Sequence, residues 1–301
     1  MKKQSSLAGQ LLILSAALLW STAGILVKLL PWGSLSISCL RGLISVLFLI
    51  SLRFIQRLTG KGYVPFRMTR HNIASGVAMF LTSVLFMAAN KLTTAANAIV
   101  LQYIAPILIL IYTSVTQKRW PSPVEFTLTI VVFLGCVLAF SDQLQGTGTL
   151  GNVLALLSGF AFAALILINR MEKVRPEDGQ IIGCGLSFLL GLPFLLTDGS
   201  LVLTSESVGA MLLLGVFQYS IANLMFAKGI KKTEPMSASI ILTMEPIMSP
   251  VWVFAVLGEV PGGRALAGFV LVIAAVTLQS LMPMISRRRK PGDVQSSMAE
   301  G

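Results

Sequence analysis

Histidine occurs once in 301 residues, Asp and Glu together number 12, and charged side chains of either sign make up only 12% of the chain. Each shortage excludes something. The lone His71 cannot form the paired-histidine helix of a zinc protease, and no phosphate-binding Walker loop or G-x-S-x-G elbow is present. Neither ATP-driven transport nor hydrolysis therefore has local support, and an enzyme is not expected. Acidic residues are too scattered for a divalent-metal site. The three cysteines, Cys39, Cys136 and Cys184, are odd in number, sit in apolar stretches and lack metal-ligand spacing, so they read as small buried side chains. No cofactor is expected. A soluble domain carries about twice this share of charge, which excludes water as the main solvent.

What is present is apolar. Hydrophobic residues make up 55% of the chain and mean hydropathy is +0.83. About ten stretches of roughly 17 to 24 residues are long enough to cross a bilayer as helices. They cover residues 7–30, 35–54, 73–92, 95–115, 124–140, 150–168, 180–196, 208–227, 237–257 and 265–284. The first is too long for a cleaved signal and is read as a retained span. With a cytoplasmic N-terminus, about nineteen of the 23 Lys and Arg residues fall on the cytoplasmic side, and both termini lie there. The net charge of +11 is then topological. Its neighbours are lipid headgroups and not nucleic acid. Lys28 and Lys91 read as interfacial anchors, and His71 opens the third stretch at the basic edge.

The chain also repeats itself. Tyr103-Ile104-Ala105-Pro106-Ile107 and Thr243-Met244-Glu245-Pro246-Ile247 lie at an offset of 140 that also pairs Phe86 with Phe226, Thr93 with Thr233 and Ala98 with Ala238. Five stretches precede the glycine-containing joint from Gln143 to Gly151 and five follow it. An odd number makes the second unit enter from the opposite side, so the expected fold is all-α, with ten transmembrane helices in two inverted five-helix repeats. The boundaries are 1–142 and 150–286, with residues 287–301 a polar, disordered cytoplasmic tail.

Ser237-Ala238-Ser239, Glu245-Pro246-Ile247 and Leu257-Gly258-Glu259 in the second unit, with Ala95-Ala96-Asn97-Ala98, Tyr103-Ile104-Ala105-Pro106, Trp20-Ser21 and Arg41-Gly42 in the first, resemble the EamA family of the drug/metabolite transporter superfamily. The resemblance covers nearly the whole chain. It implies an inner-membrane carrier of small metabolites, with export of an amino acid or similar solute favoured. One departure stands out: Lys118-Arg119 replaces the second unit's Gly258-Glu259, and Glu125 lies six residues beyond Arg119.

An ion in hydrocarbon costs about 2.5–3.5 kcal/mol, so intramembrane charge marks function or pairing. Glu245 lies mid-span on a face with Ala238, Leu242 and Ser249, and is the candidate for substrate binding and proton coupling. Arg41, with Ser38 and Ser45 at helical spacing, reads as a structural intramembrane charge. Pro106 and Pro246 read as helix kinks. Gln102, Tyr103, Tyr219 and Asn223, with Gln218 beside them, complete the expected substrate site, which the resemblance helps to place between the third, fourth, eighth and ninth spans, and Trp20 stands at its entrance. The partners are a small cationic or zwitterionic solute and the bilayer; a homodimer, an uptake carrier and a channel remain open.

Overall fold

The computed structural model describes residues 6–60, 62–93, 95–118, 120–141, 148–257 and 262–288. These residues form helices and connections, with no strand among them. The elements are α1 (Leu7–Ser21), α2 (Ala23–Lys28), α3 (Ser34–Thr59), α4 (Arg70–Leu92), α5 (Ala95–Gln102), α6 (Ala105–Thr116), α7 (Pro123–Phe140), α8 (Thr149–Arg170), α9 (Pro176–Leu196), α10 (Ser205–Leu212), a π-helical segment (Leu213–Ile221), α11 (Ala222–Ile230), α12 (Pro235–Leu242), α13 (Met244–Leu257) and α14 (Gly263–Arg288). Eight helical runs among the described residues are long and apolar enough to cross a membrane, two of them (7–27 and 97–116) interrupted by a break between elements: 7–27, 34–59, 70–90, 97–116, 123–140, 149–170, 176–196 and 205–230. The side chains of Lys28 and Lys91, and residues Lys61, Arg119 and Glu259, lie outside the described residues. So does the expected tail beyond Arg288; α14 runs two residues into that tail.

Local chemistry sets the ends of these helices. Ser6, Thr69 and Ser122 each accept a backbone N–H from the first turn of α1, α4 and α7. Glu125 returns the bond to the Ser122 amide at 2.8 Å, closing a capping box. The first unit's acid is thus used to start α7.

The prolines do not kink continuous helices as the sequence suggests. The helix stops first. α5 ends at Gln102 and α12 at Leu242, at the same 140-residue offset, and each proline lies in the first turn of the helix that follows. A proline there forfeits no intrahelical bond, because first-turn amides have no partner anyway. At the breaks, Ile104 N–H reaches Leu101 and Thr243 N–H reaches Ile240, each three residues back, so each interruption is a tightened turn.

Packing follows a reciprocal scheme. α4 lies on α8 as α1 lies on α11, while α3 packs on α9 and α7 on α14. Glycines permit the close crossings. A Cβ on Gly268 would sit 2.5 Å from the Gly135 carbonyl, and one on Gly183 would sit 2.8 Å from that of Gly76. Gly9 of α1 abuts Thr233, and Gly151 of α8 abuts Thr93, so the two helices make like contacts. Exposed Leu47, Phe54, Leu134, Leu157, Phe160 and Phe217 face outward. Polar Ser45, Ser158, Gln218, Asn223 and Thr243 are buried instead. That is the distribution of a protein whose surroundings are hydrocarbon.

Candidate functional site

Glu245 is the second residue of α13, so its carboxylate sits at a helix N-terminus where unsatisfied amides favour negative charge. Its Oε2 accepts a hydrogen bond of 2.8 Å from the Tyr103 hydroxyl, which also lies 3.2 Å from the Leu242 carbonyl freed at the α12 break. Tyr103 occupies the corresponding break between α5 and α6. The two interruptions therefore meet through these side chains. Tyr103 is buried and its ring stands edge-on to Phe162, with centroids 6.1 Å apart.

A second intramembrane charge is Arg41 of α3. Its Nη2 donates to the Ser83 hydroxyl of α4 at 2.9 Å, and its guanidinium carbon lies 4.1 Å from the centroid of the Tyr219 ring. Arg41 and Glu245, both among the described residues, form no ion pair with each other. The π-helical segment accounts for Tyr219: widening the turn over Leu213–Ile221 moves Gln218, Tyr219 and Ser220 inward, where all three are buried. Ser220 Oγ lies 2.7 Å from the Gly215 carbonyl five residues back, which seals the wider turn, and 2.8 Å from Ser45 of α3.

The remaining expected site residues are arranged differently. Trp20 is buried against Phe226, with centroids 5.4 Å apart, so it lines the interior and not an entrance. Its indole N–H has no partner, and the Gln218 amide donates to the Trp20 carbonyl at 3.2 Å. Gln102 turns toward α8, where its amide donates to Ser158 at 2.7 Å; that serine bonds the Thr82 carbonyl. Asn223 donates to the Tyr219 carbonyl one turn earlier at 2.7 Å, fixing the end of the π segment. The structure thus pairs Tyr103 with Glu245 and Arg41 with Tyr219, whereas Gln102 and Asn223 brace the surrounding helices. Sequence reasoning missed Ser83, which has no signal beyond being a polar residue in an apolar run. Cys39, Cys136 and Cys184 are buried free thiols.

A second polar cluster closes one end of the bundle. Asp178 of α9 is fully buried; it pairs with Arg53 of α3 and accepts from Asn72 Nδ2 at 3.1 Å and from the Arg67 amide at 3.3 Å. A groove of about 410 Å³ beside it, lined by Arg53, Phe54, Arg57, Tyr63 and Phe66, is about 18 Å along α3 from Arg41 and separate from the Glu245 pair.

The EamA-like transporter family model matches residues 7–141 and again 149–281. The chain belongs to the EamA-like transporter family. This EamA-like chain is 24% identical over 273 residues to an uncharacterized transporter of Archaeoglobus fulgidus, covering 90% of this chain and 95% of that one. It is 26% identical to the uncharacterized transporter YwfM of Bacillus subtilis, with 91% and 94% covered. It is 25% identical to the uncharacterized inner membrane transporter YicL of Salmonella typhimurium, with 95% and 98% covered. A solved crystal structure, 17% identical, superposes with a TM-score of 0.76 over 91% of this chain and 97% of that one, so the fold is shared. The protein is a multi-pass membrane transporter.

Proposed function

We propose that this EamA-like transporter moves a small metabolite, an amino acid or a solute of similar size, across the cytoplasmic membrane by alternating access. Ten spans form two inverted five-helix units, both termini are cytoplasmic, and the solute binds between Glu245, Tyr103, Tyr219 and Arg41. The observation that carries this reading is the Tyr103–Glu245 hydrogen bond, which joins the two equivalent helix breaks at the centre of the bundle. Broken helices at matching positions of two repeats are where secondary transporters expose backbone and charge to a solute. The reciprocal packing of α1 on α11 and α8 on α4 supports the inverted relation. Export, and exchange for protons at Glu245, complete the proposal; the first rests on the family resemblance and the second on an ionisable group at membrane depth.

Counterflow in proteoliposomes tests the carrier reading. Solute on the far side accelerates uptake of labelled solute in a carrier and leaves a channel unaffected. Transport by Glu245→Gln across pH tests the coupling role; a variant that keeps the wild-type pH dependence removes Glu245 as the proton carrier.

A further inference from the structure

The end of α3 carries a charge that the fold leaves unused. Arg53 is occupied: it pairs with Asp178, and its guanidinium carbon lies 5.6 Å from the centroid of the Phe66 ring. Arg57, one turn further on, is exposed and makes no hydrogen bond or ion pair among the described residues. The Tyr63 hydroxyl makes none either. Both line the groove of about 410 Å³ together with Ile50, Phe54 and Phe66, so one recess joins a free cation and a free hydroxyl to apolar walls. The recess is held in shape. Arg175 Nη1 donates to the Pro65 carbonyl at 3.2 Å, Asn72 Nδ2 to the Arg67 carbonyl at 2.8 Å, and the Arg67 amide to Asp178 at 3.3 Å. These bonds pin residues 63–67 against the starts of α4 and α9.

We infer that this groove holds an anionic phospholipid, with its phosphate on Arg57 and an acyl chain along the outer face of α3. Leu47, Ile50, Phe54 and Leu58 are exposed at helical spacing and form one stripe leading from the apolar belt to the groove. Arg57, Tyr63 and Phe66 stand at the end of that stripe, and a basic and aromatic fringe of this kind marks the headgroup level. A soluble anion would pair with Arg57 and leave the apolar walls wet. A zwitterionic lipid would bring a cation of its own to a recess already lined by two arginines. An anionic lipid meets each feature. Its phosphate takes the planar fork of Arg57 and the Tyr63 hydroxyl, and its chain covers Ile50 and Phe54. Arg57 lies about 24 Å along α3 from Arg41, so this site is separate from the solute site.

The test uses purified full-length protein in detergent and reads the melting temperature as lipid is added. The probes are dioleoyl phosphatidylglycerol, dioleoyl phosphatidylcholine and soluble glycerol 3-phosphate. The expected result is saturable stabilisation by phosphatidylglycerol, with the other two weaker by at least about fivefold. Arg57→Gln should lower the apparent affinity for phosphatidylglycerol about fivefold, the contribution of one basic residue at a charged surface. Arg57→Lys, which keeps the charge, should retain most of it. Arg57 is exposed and unpartnered among the described residues, so both variants should fold. Arg70 is exposed at the same end of the bundle but does not line the groove, and Arg70→Gln should leave the affinity unchanged. The proposal is overturned if phosphatidylcholine stabilises as well as phosphatidylglycerol, or if folded Arg57→Gln binds like the wild type. An equal shift with glycerol 3-phosphate would replace it with a soluble-anion site. An equal loss in Arg70→Gln would replace it with a diffuse surface field.

Discussion

The Tyr103 hydroxyl reaches the Glu245 carboxylate at 2.8 Å although the residues stand 142 positions apart, one in each half of the chain. Both occupy places where a helix has stopped and restarted. The pair therefore does two jobs: it satisfies a charge that hydrocarbon would penalise, and it ties the two interruptions together. Any relative movement of α5–α6 and α12–α13 must break or carry this bond.

Tyr103→Phe should separate the bond from the packing. The ring keeps its edge contact with Phe162, so the protein should fold. A hydrogen bond to a charged group contributes about 1.5–3 kcal/mol, so a transport loss of about tenfold or more is expected with little change in yield or oligomeric profile. Unchanged transport would show that the hydroxyl is dispensable.

The Asp178 cluster should act on stability and not on solute choice. Asp178 is fully buried, and Arg53 keeps 18% of its side-chain surface. Removing the carboxylate by Asp178→Ala strands a partly solvated guanidinium, and a cost of about 3 kcal/mol is expected, at the lower end for a buried pair. A clear fall in melting temperature in detergent, with the ranking of bound solutes preserved, is the expected result. An unchanged melting temperature would contradict it.

Outside the membrane, Asp198 sets a local pH response. Hydrogen bonds from the Ser200 hydroxyl, then from Ser36 and the Ser200 and Gly33 amides, hold its carboxyl below the usual carboxylate range. A group depressed in the folded state stabilises it above its unfolded value and loses that contribution as pH falls through the folded value. The tie between the α9–α10 loop and the start of α3 should therefore hold from neutral pH down past pH 4. Asp198→Asn should weaken it at pH 7. Hydrogen exchange at the Gly33 and Ser200 amides reads this; loosening in the wild type already near pH 6 would contradict it.

Much of the fold is legible in the chain because membrane-spanning segments must be long and apolar, and eight of the expected stretches appear as such runs. The 140-residue offset is equally informative: α5 and α12 end at equivalent positions, Gln102 and Leu242. Glu245 and Tyr103 were visible as polar groups beside matching prolines. What local pattern could not supply was partnership. Arg41 meets Ser83 and Tyr219 through three different helices, and nothing at 3.6-residue spacing encodes that. The π segment was equally hidden, since its cause is a wider turn sealed by Ser220 and not a distinctive composition. Without it, Tyr219 and Asn223 read as neighbours on one helical face. In the fold, Asn223 instead holds the Tyr219 carbonyl. Prolines were misread as kinks because an apolar run does not reveal where a helix stops. The first-turn position shows that each break precedes its proline.

The most direct measurement is water access at Glu245. A Glu245→Cys variant, in a background with Cys39, Cys136 and Cys184 replaced by serine, would be treated with a membrane-impermeant thiol reagent in sealed vesicles. An interior solute chamber requires labelling of the introduced thiol. A thiol that reacts only with lipid-soluble reagents would place this position against acyl chains and contradict the central site.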